Sequence, residues 1–188
     1  MLLVLDSLTR FAMAAREIGL AAGEPPTNKG YTPSVFNRLA RLIERAGQFQ
    51  VGSITAFYTV LMEGDDQQDP LVDAVRALLD GHVVLSRMMA AEGWYPPIEL
   101  LDSISRLMPA VTGPVHREQA ALMRKLLSVY ARSEDLVRIG AYKPGADPDL
   151  DRALHARPAM REFMTQASHE QVHYAESLRR LAQLAAEV

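Results

Sequence analysis

The first residues of the chain form an apolar run, Leu2-Leu3-Val4-Leu5, which ends at Asp6 and is followed at once by a helical pattern. A fully apolar run of this length that ends at an acidic residue is typical of a buried parallel β-strand with a functional side chain at its carboxyl end. From Thr9 to Ala22 the apolar residues recur at helical spacing, and either Asp6 or Ser7 is placed to cap that helix. A strand that leads directly into a helix restricts the chain to an α/β layer.

Strands and helices continue to alternate up to about residue 110. The pattern predicts a helix from Pro33 to Gly47, a strand from Ser53 to Met62, a helix from Leu71 to Leu79 and a strand from His82 to Leu85. A polar loop is expected from Glu63 to Pro70, and Leu101 to Met108 is expected to be loop-like.

The pattern changes near Pro114, after which no further strand is predicted. Helices are expected over Val115–Ile139, Pro148–Ala156, Pro158–Thr165 and Ser168–Glu187. The fold class is therefore an α/β portion, about residues 1–110, followed by an all-helical portion, residues 111–188.

Composition excludes several classes of protein. The net charge is −3, so the basic excess of a free-standing nucleic-acid binder is missing. There are no cysteines, which excludes disulfides, thiol nucleophiles and cysteine-ligated zinc. The apolar runs are far shorter than the roughly 20 residues of a membrane span. We therefore expect a soluble, cytosolic protein.

The string His169-Glu170-Gln171-Val172-His173 fits the zincin pattern H-E-x-x-H. On a helix the two histidines would share one face and could hold Zn²⁺, with the glutamate as base. Catalytic zinc also needs a third protein ligand, and the only later acids are Glu176 and Glu187. The interpretation that the sequence favours is a solvated face of a terminal helix.

Three other residues allow both a functional and a plain structural interpretation. Asp6 can organise Mg²⁺ as the acid at the end of a nucleotide-site strand, or cap the following helix. Arg106 can reach a neighbour's phosphate or pair with a local acid. Tyr95, beside Trp94, can stack on a base or simply pack. The phosphate-binding pattern Gly-x-x-x-x-Gly-Lys-Ser/Thr occurs nowhere in the chain.

Longer strings carry a more specific signal, and they cover nearly the whole chain. They run from Leu2 to Pro26, Gly30 to Phe36, Gly52 to Leu61, Glu63 to Pro70 and Leu79 to Arg87. Their order and wording resemble the type III secretion ATPases. The loop spelled EGDDQQDP and the later Gly140–Pro148, spelled GAYKPGADP, are most similar to the flagellar export member, with the injectisome ATPases a close second.

This resemblance implies an architecture related to the catalytic subunit of rotary ATP synthases. Members have an N-terminal β-barrel, a RecA-like α/β nucleotide domain and a C-terminal helical domain, and they work as hexamers with ATP sites between subunits. Residues 1–110 would be the C-terminal part of the RecA-like domain, a parallel sheet flanked by helices, and 111–188 the helical domain. The barrel, the Walker A loop and the catalytic glutamate are expected upstream of Met1. Gln48–Val51 is shorter than the matching segment of some flagellar members.

The resemblance also assigns roles to single residues. Asp6 matches the Walker B aspartate, which organises Mg²⁺ through water. Arg10 matches an arginine near the phosphate pocket, and Tyr95 matches the aromatic residue that packs against adenine. Arg106 matches the arginine finger that reaches the neighbouring subunit's nucleotide.

The implied function is ATP hydrolysis that energises type III protein export, with Mg²⁺ and ATP as cofactors of the full-length enzyme. The loop Asp65–Asp69 would face a central channel, and Ala141–Leu154 would contact a stalk protein. Other expected partners are a regulatory protein and export chaperone–substrate complexes, with no nucleic acid. The location would be cytoplasmic, at the inner face of the membrane near the export gate. This chain alone is expected to be inactive because it lacks the phosphate loop.

Two alternatives remain open on the sequence. One is a non-enzymatic module that uses its helical portion to dock partners. The other is a fragment of a rotary ATP synthase subunit, against which the Gly-Glu-Pro-Pro and Glu-Gly-Asp-Asp wording counts.

Overall fold

The computed structural model describes residues 1–62 and 69–188. The described chain divides into two compact units, Met1–Leu79 and Asp80–Val188. Most of the expected polar loop, residues 63–68, lies outside the described residues. The same holds for the predicted channel-facing loop, except for Asp69. The predicted domain boundary at residues 110 and 111 stays a prediction.

The first unit is a small mixed sheet with three α-helices. Its elements are β1 (Leu2–Leu5), α1 (Leu8–Ala21), a short 3-10 turn (Asn28–Gly30), α2 (Pro33–Ile43), β2 (Gly47–Gln48), β3 (Ser53–Tyr58) and α3 (Pro70–Leu78). The strand order is β1-β3-β2, with β1 parallel to β3 and β2 antiparallel to it. The predicted strand at residues 53–62 therefore ends at Tyr58, four residues early.

Local signals in the sequence set the helix starts of this unit. Ser7 caps α1, because its Oγ accepts a hydrogen bond from the Arg10 amide at 3.2 Å. Pro33 and Pro70 occupy the first turns of α2 and α3, where their missing N–H costs nothing. The helices bury one continuous apolar cluster: Leu8, Ala12, Ala15, Tyr31, Val35, Leu39, Ile43, Leu71 and Val75.

The strand β1 is as predicted in position and in its parallel pairing, but it is not buried on both faces. Its side chains alternate between half-buried and exposed, and Leu2 and Val4 are 63% and 66% exposed. The same face is exposed on the neighbouring strand, since Phe57, the register partner of Val4, is 62% exposed, so this face of the described sheet has no covering layer.

The second unit begins with a two-stranded sheet. Its elements are β4 (Gly81–Leu85), α4 (Arg87–Ala91), β5 (Ile98–Ser105), α5 (Met108–Val111), α6 (Pro114–Arg138), α7 (Pro148–Met164) and α8 (Tyr174–Glu187). The strands β4 and β5 are antiparallel, with a register irregularity between His82 and Val84. The expectation of a loop over residues 101–108 is wrong for residues 101–105, which belong to β5; Ile104 and Ser105 pair with His82 and Gly81 of β4.

The three long helices close a second apolar core, formed by Met123, Leu126, Val129, Leu150, Ala153, Ala156, Met160, Leu181 and Leu184. The two helices predicted on either side of Pro158 are one continuous helix, α7, with the proline in its interior. The predicted terminal helix begins at Tyr174 and not at Ser168. No helix of the described residues is long and apolar enough to cross a membrane.

Candidate functional site

Asp6 lies at the carboxyl end of β1, directly beside the end of β3. The Thr59 hydroxyl donates a hydrogen bond to Asp6 Oδ1 at 2.6 Å. The backbone is tied at the same edge, since the Thr59 amide donates to the Leu5 carbonyl at 3.1 Å and the Leu8 amide donates to the Thr59 carbonyl at 2.9 Å. The carboxylate is therefore oriented through its Oδ1 at the carboxyl ends of the parallel strands β1 and β3.

The structure assigns the cap of α1 to Ser7, and the role of Asp6 near Mg²⁺ stays a prediction. Ser7 caps α1, so the aspartate is not needed for that purpose. Asp6 is exposed, and its Oδ2 makes no hydrogen bond to another described residue. A solvated carboxylate oxygen is the ligand type that Mg²⁺ prefers, either directly or through water. The geometry of Asp6 thus fits a magnesium site, although it supplies only one protein ligand.

Arg10 follows in the first turn of α1, and its side chain is exposed. Its guanidinium makes no hydrogen bond or ion pair with another described residue, while its amide is used by the cap of α1. A cation one helical turn from Asp6 fits an anionic ligand at this edge, and its role near a phosphate stays a prediction.

Tyr95 lines a cavity in the second unit. This open cavity measures about 1030 Å³. Gly93, Tyr95 and Pro96 form one side, and Glu162, Arg180 and the segment 165–170 form the other. The Tyr95 side chain is 55% exposed, so one face of its ring is available for stacking.

The wall opposite Tyr95 is a compact turn between α7 and α8. The Gln166 amide donates to the Tyr95 carbonyl at 2.8 Å, which joins the two sides of the cavity. Within the turn, Ala167 and Glu170 bond each other through amide, carbonyl and carboxylate groups at 3.0–3.3 Å. Arg180 of α8 adds an ion pair to Glu170 at 3.8 Å. The turn is therefore ordered by its own polar contacts.

This turn also removes the basis of the zincin interpretation. His169 lies in the turn itself and His173 is the residue that precedes α8, so the two rings do not share a helix face. Glu170 is already engaged by Ala167 and Arg180. Within residues 1–62 and 69–188, no group of three or more His, Asp or Glu side chains is placed to hold a metal.

Trp94 packs, whereas Tyr95 faces the cavity. The Trp94 indole Nε1 is buried and has no hydrogen-bond partner among the described residues. The Arg161 guanidinium stands over its ring at 5.3 Å from the centroid, a cation–π contact. Of the two neighbouring aromatic residues, Tyr95 is thus the one available to a ligand.

Arg106 follows the last residue of β5, and its side chain is exposed. The Arg106 amide donates to the Asp80 carbonyl at 2.8 Å, which continues the contact between the two strands by one residue. The backbone that carries this guanidinium is therefore fixed at the strand end. The reach of Arg106 to the nucleotide of another subunit stays a prediction.

The structure places Asp6 and Arg10 together in the first unit, and Tyr95 and Arg106 in the second. Sequence reasoning missed the wall at residues 165–170. The available signal was the short run Thr165-Gln166-Ala167-Ser168, in which small and polar residues interrupt the apolar periodicity between two helices.

Two family models match the chain in tandem. The nucleotide-binding domain of the ATP synthase alpha/beta family matches residues 1–105, and the T3SS EscN ATPase C-terminal domain matches residues 112–183. The order agrees with the α/β portion and the helical portion described above.

Curated relatives carry the same family names. The chain is 55% identical over 98% of its length to a flagellum-specific ATP synthase of Pseudomonas aeruginosa and covers 42% of that protein. It is 52% identical over 97% of its length to the Treponema pallidum protein of the same name and covers 41% of it. A type 3 secretion system ATPase of Sinorhizobium fredii is 52% identical over 94% of the chain. The chain thus spans about two fifths of the length of these relatives.

Solved structures of related ATPases have the same fold. The assembled ATPase EscN of the enteropathogenic E. coli type III secretion system superposes with a TM-score of 0.94 at 44% identity, over 98% of this chain and 45% of that chain. EscN in complex with its central stalk EscO gives a TM-score of 0.87 at 42% identity, over 98% of this chain and 44% of that chain. The expected fold class, part of a RecA-like nucleotide domain followed by helices, is confirmed. The chain belongs to the ATP synthase alpha/beta family, within the branch that holds the flagellar and type III secretion ATPases.

Proposed function

We propose that this chain forms part of an ATPase that energises type III protein export, most closely the flagellar system, as one subunit of a hexameric ring. The observation that carries the proposal is the geometry of Asp6. This carboxylate is exposed at the end of a parallel strand pair, is anchored by Thr59 through one oxygen and is released from capping by Ser7. Identities of 48–55% to five flagellum-specific ATP synthases overlap the 50–52% to three type 3 secretion system ATPases, so the choice of the flagellar system rests on the sequence strings EGDDQQDP and GAYKPGADP.

In this proposal Asp6 holds the water shell of Mg²⁺ through its free oxygen, while Thr59 fixes the orientation of the carboxylate. The ion, when bound, offsets the charge of the ATP phosphates during phosphoryl transfer. Arg10, one turn along α1, adds a positive charge on the same edge and attracts the phosphates. These two residues act by positioning and by electrostatics, which are the main sources of rate in this chemistry.

Tyr95 and the segment 165–170 then form an adenine site. The base would lie against the exposed face of the Tyr95 ring, with the turn after α7 as the opposite wall. Stacking of a base on an aromatic ring contributes about 1–3 kcal/mol in proteins that bind single-stranded nucleic acid. The hydrogen bond between Gln166 and Tyr95 supports this role because it fixes the separation of the two walls.

Arg106 serves a different ATP site, that of the neighbouring subunit. A guanidinium is suited to this task because it stays charged and presents several donors to the phosphate oxygens. Its exposure at a backbone-anchored strand end supports the proposal. Without a Gly-x-x-x-x-Gly-Lys-Ser/Thr loop in these 188 residues, the chain alone would not hydrolyse ATP.

The helical domain would contact the other components of the export apparatus. Residues 141–154 would meet a coiled-coil stalk protein, and a regulatory protein and export chaperone–substrate complexes would be further partners. The turn after α6 is pre-ordered for contact, because the Tyr142 hydroxyl and the Gly145 amide donate to the two oxygens of Asp151 at 2.8 and 2.7 Å. The solved complex of EscN with its stalk supports this assignment. The location would be cytoplasmic, at the inner face of the membrane near the export gate, with peripheral membrane association only.

The test uses a fusion enzyme, defined as the P. aeruginosa flagellum-specific ATP synthase in which this chain replaces the residues that it matches. We expect the fusion enzyme to hydrolyse ATP in the presence of Mg²⁺, and Asp6→Asn to lower its turnover by about 10²-fold or more. Asp73→Asn is the matched control, since Asp73 is an exposed acid in α3 of the same unit. A fusion enzyme that assembles and works equally well with Asp6→Asn would overturn the proposal.

A further inference from the structure

We propose that Arg124 is a positioning residue that fixes β5, the strand between Tyr95 and Arg106, against helix α6. The inference rests on the function proposed above, because it explains how the chain holds Arg106 in place. Arg124 touches neither the cavity lining nor the Arg106 side chain in the described contacts. It acts through the backbone of the strand.

The Arg124 guanidinium binds two carbonyl groups of β5. Its Nη1 donates to the Ser103 carbonyl at 3.2 Å, and its Nη2 donates to the carbonyls of Ser103 and Leu101, each at 3.2 Å. The side chain is half-buried, and α6 is packed against β5 at this point. The planar guanidinium thus donates hydrogen bonds to the carbonyls of Leu101 and Ser103, two residues apart on one strand. Arginine can present several donors in this fixed geometry, whereas lysine cannot.

These carbonyls lie on the edge of β5 that β4 does not use. Successive carbonyls of a strand point to opposite sides, and the intervening Asp102 carbonyl contacts the His82 ring Nε2 at 2.9 Å on the β4 side. The register irregularity between His82 and Val84 interrupts the ladder in the same stretch. Without Arg124, the carbonyls of Leu101 and Ser103 would lose their hydrogen-bond donor, in the stretch of β5 whose pairing with β4 is interrupted.

Arg106 depends on this stretch of strand. Only two residues lie between it and Ser103, and its own amide donates a hydrogen bond to the Asp80 carbonyl at 2.8 Å. The end of β5 is therefore supported from two sides, by Asp80 and β4 on one side and by α6 on the other. Loss of the α6 contact removes the support on one side, so we expect the guanidinium of Arg106 to be displaced while its charge remains.

The first test measures the kinetics of the fusion enzyme. We expect Arg124→Ala to lower kcat by about 10–100-fold with KM for ATP nearly unchanged, since an error of about 1 Å in the position of a catalytic group costs rate of this order. Arg124→Lys keeps the charge without the planar fork and should recover only part of the loss. Lys125→Ala is the control, because Lys125 lies next on α6 and makes only an exposed ion pair with Asp149.

The double variant separates positioning from general damage. If Arg124 acts through Arg106, the Arg106→Ala/Arg124→Ala enzyme is no slower than Arg106→Ala alone. If the double variant instead loses kcat by the product of the two single losses, the inference is overturned. A normal kcat for Arg124→Ala, when Arg106→Ala is slow, would also overturn it. A normal rate for Arg106→Ala would instead overturn the proposed function, and the inference with it.

A second measurement covers the case in which Arg124→Ala fails to fold. In the 188-residue chain, Arg124→Lys should raise amide hydrogen exchange at residues 101–106 and leave α7 and α8 protected. The fluorescence of Trp94, the only tryptophan, reports on the integrity of the fold in the same sample. Exchange at residues 101–106 equal to that of the unchanged chain would contradict the inference.

Discussion

The sheet of the first unit and the helical core of the second are both built from aliphatic and aromatic residues, but they bury them to very different extents. On the sheet, Val4 and its register partner Phe57 are 66% and 62% exposed. In the helical core, Leu126 and Leu150 are each 2% exposed. Three helices that follow one another along the chain can enclose their own core, whereas a sheet needs another layer on its apolar face. The helical core should thus be the more self-sufficient region.

The largest expected effect is on the helical core. Leu150→Ala should lower the free energy of unfolding by about 2–5 kcal/mol, because the cavity is enclosed by three helices that cannot collapse into it. Chemical denaturation of the chain, followed by circular dichroism, measures this loss. The control is Leu136→Ala, since Leu136 is 52% exposed on α6 and should cost little. An equal loss of unfolding free energy in the two variants would mean that Leu150 is not buried in a packed helical core.

The next effect concerns the contact between Lys29 and Asp69 in the first unit. Asp69 Oδ1 accepts hydrogen bonds from the Leu71 and Val72 amides at 2.8 and 3.4 Å, and Oδ2 is paired with Lys29 Nζ at 2.9 Å. Asp69→Ala should cost about 1–2 kcal/mol through loss of the cap of α3. Denaturant titration of this variant should show a larger loss than that of Asp73→Ala, an exposed position in the same helix. A larger loss of unfolding free energy for Asp73→Ala than for Asp69→Ala would contradict the assignment of Asp69 as the cap of α3.

The same contact predicts a dependence on pH. Burial by itself raises the pKa of Asp69, but the hydrogen bonds from Lys29 and from the two amides outweigh it and hold the pKa below its ordinary 3.8. A carboxylate with a lowered pKa stabilises the folded state above its unfolded pKa, and this stability is lost as the pH falls through the folded value. The free energy of unfolding should therefore fall as the pH is lowered below about 3.8. Asp69→Asn should remove the share of this fall that comes from protonation of Asp69. An unchanged pH profile in Asp69→Asn would exclude this contribution.

The exposed face of the sheet should affect association more than stability. Val4→Lys is expected to change the free energy of unfolding by only about 0.5 kcal/mol, because the side chain is exposed. We expect the unchanged chain to self-associate through the apolar edge at β1, and Val4→Lys to reduce this. Light scattering over a range of concentrations measures the effect, with Ile139→Lys in the helical domain as control, since Ile139 is 71% exposed. A monodisperse monomer at all concentrations would refute the expectation.

The smallest effect lies on the surface of α8. Hydrogen bonds from Arg179 and then Arg180 lower the pKa of Glu176 from 4.5 to about 2. The favourable contribution of this ionised group is therefore complete above pH 4.5 and is lost toward pH 2. NMR titration of the Glu176 carboxyl should show this midpoint, and Arg179→Ala should raise it. A midpoint near 4.5 in the unchanged chain would exclude the predicted pairing.

Helix starts were predictable because their signals are local. Pro33, Pro70, Pro114 and Pro148 each mark the first turn of a helix, and Ser7 was one of two candidate caps. The strand β5 was missed because the alternation of apolar and polar residues along it is broken at Leu101 and Asp102. Its support comes from contacts that are distant in sequence, namely β4 and Arg124.

Whether a helix continues, and where it begins, depended at α7 and α8 on contacts between distant residues, which could not be predicted from the sequence. The helix α7 continues through Pro158, although a proline in a helix interior normally ends or kinks it. The late start of α8 follows from the turn at residues 165–170, which is tied to Tyr95 by the Gln166 amide. Asp6 and Tyr95 could be proposed from sequence because their residue types carry chemistry, and their roles stay predictions. The cavity wall at residues 165–170 was missed because its contribution is one of position.

The most direct test of the central claim, that this chain lends a charged group to an ATP site, is the effect of Arg106→Ala on the fusion enzyme. A finger acts on charge that develops in the transition state, so turnover should fall by about 10³–10⁵-fold while ATP binding stays nearly intact. Arg132→Ala is the matched control, since Arg132 is an exposed arginine whose Nε bonds only the Ser128 carbonyl within α6. Unchanged turnover in an assembled Arg106→Ala enzyme would contradict the account.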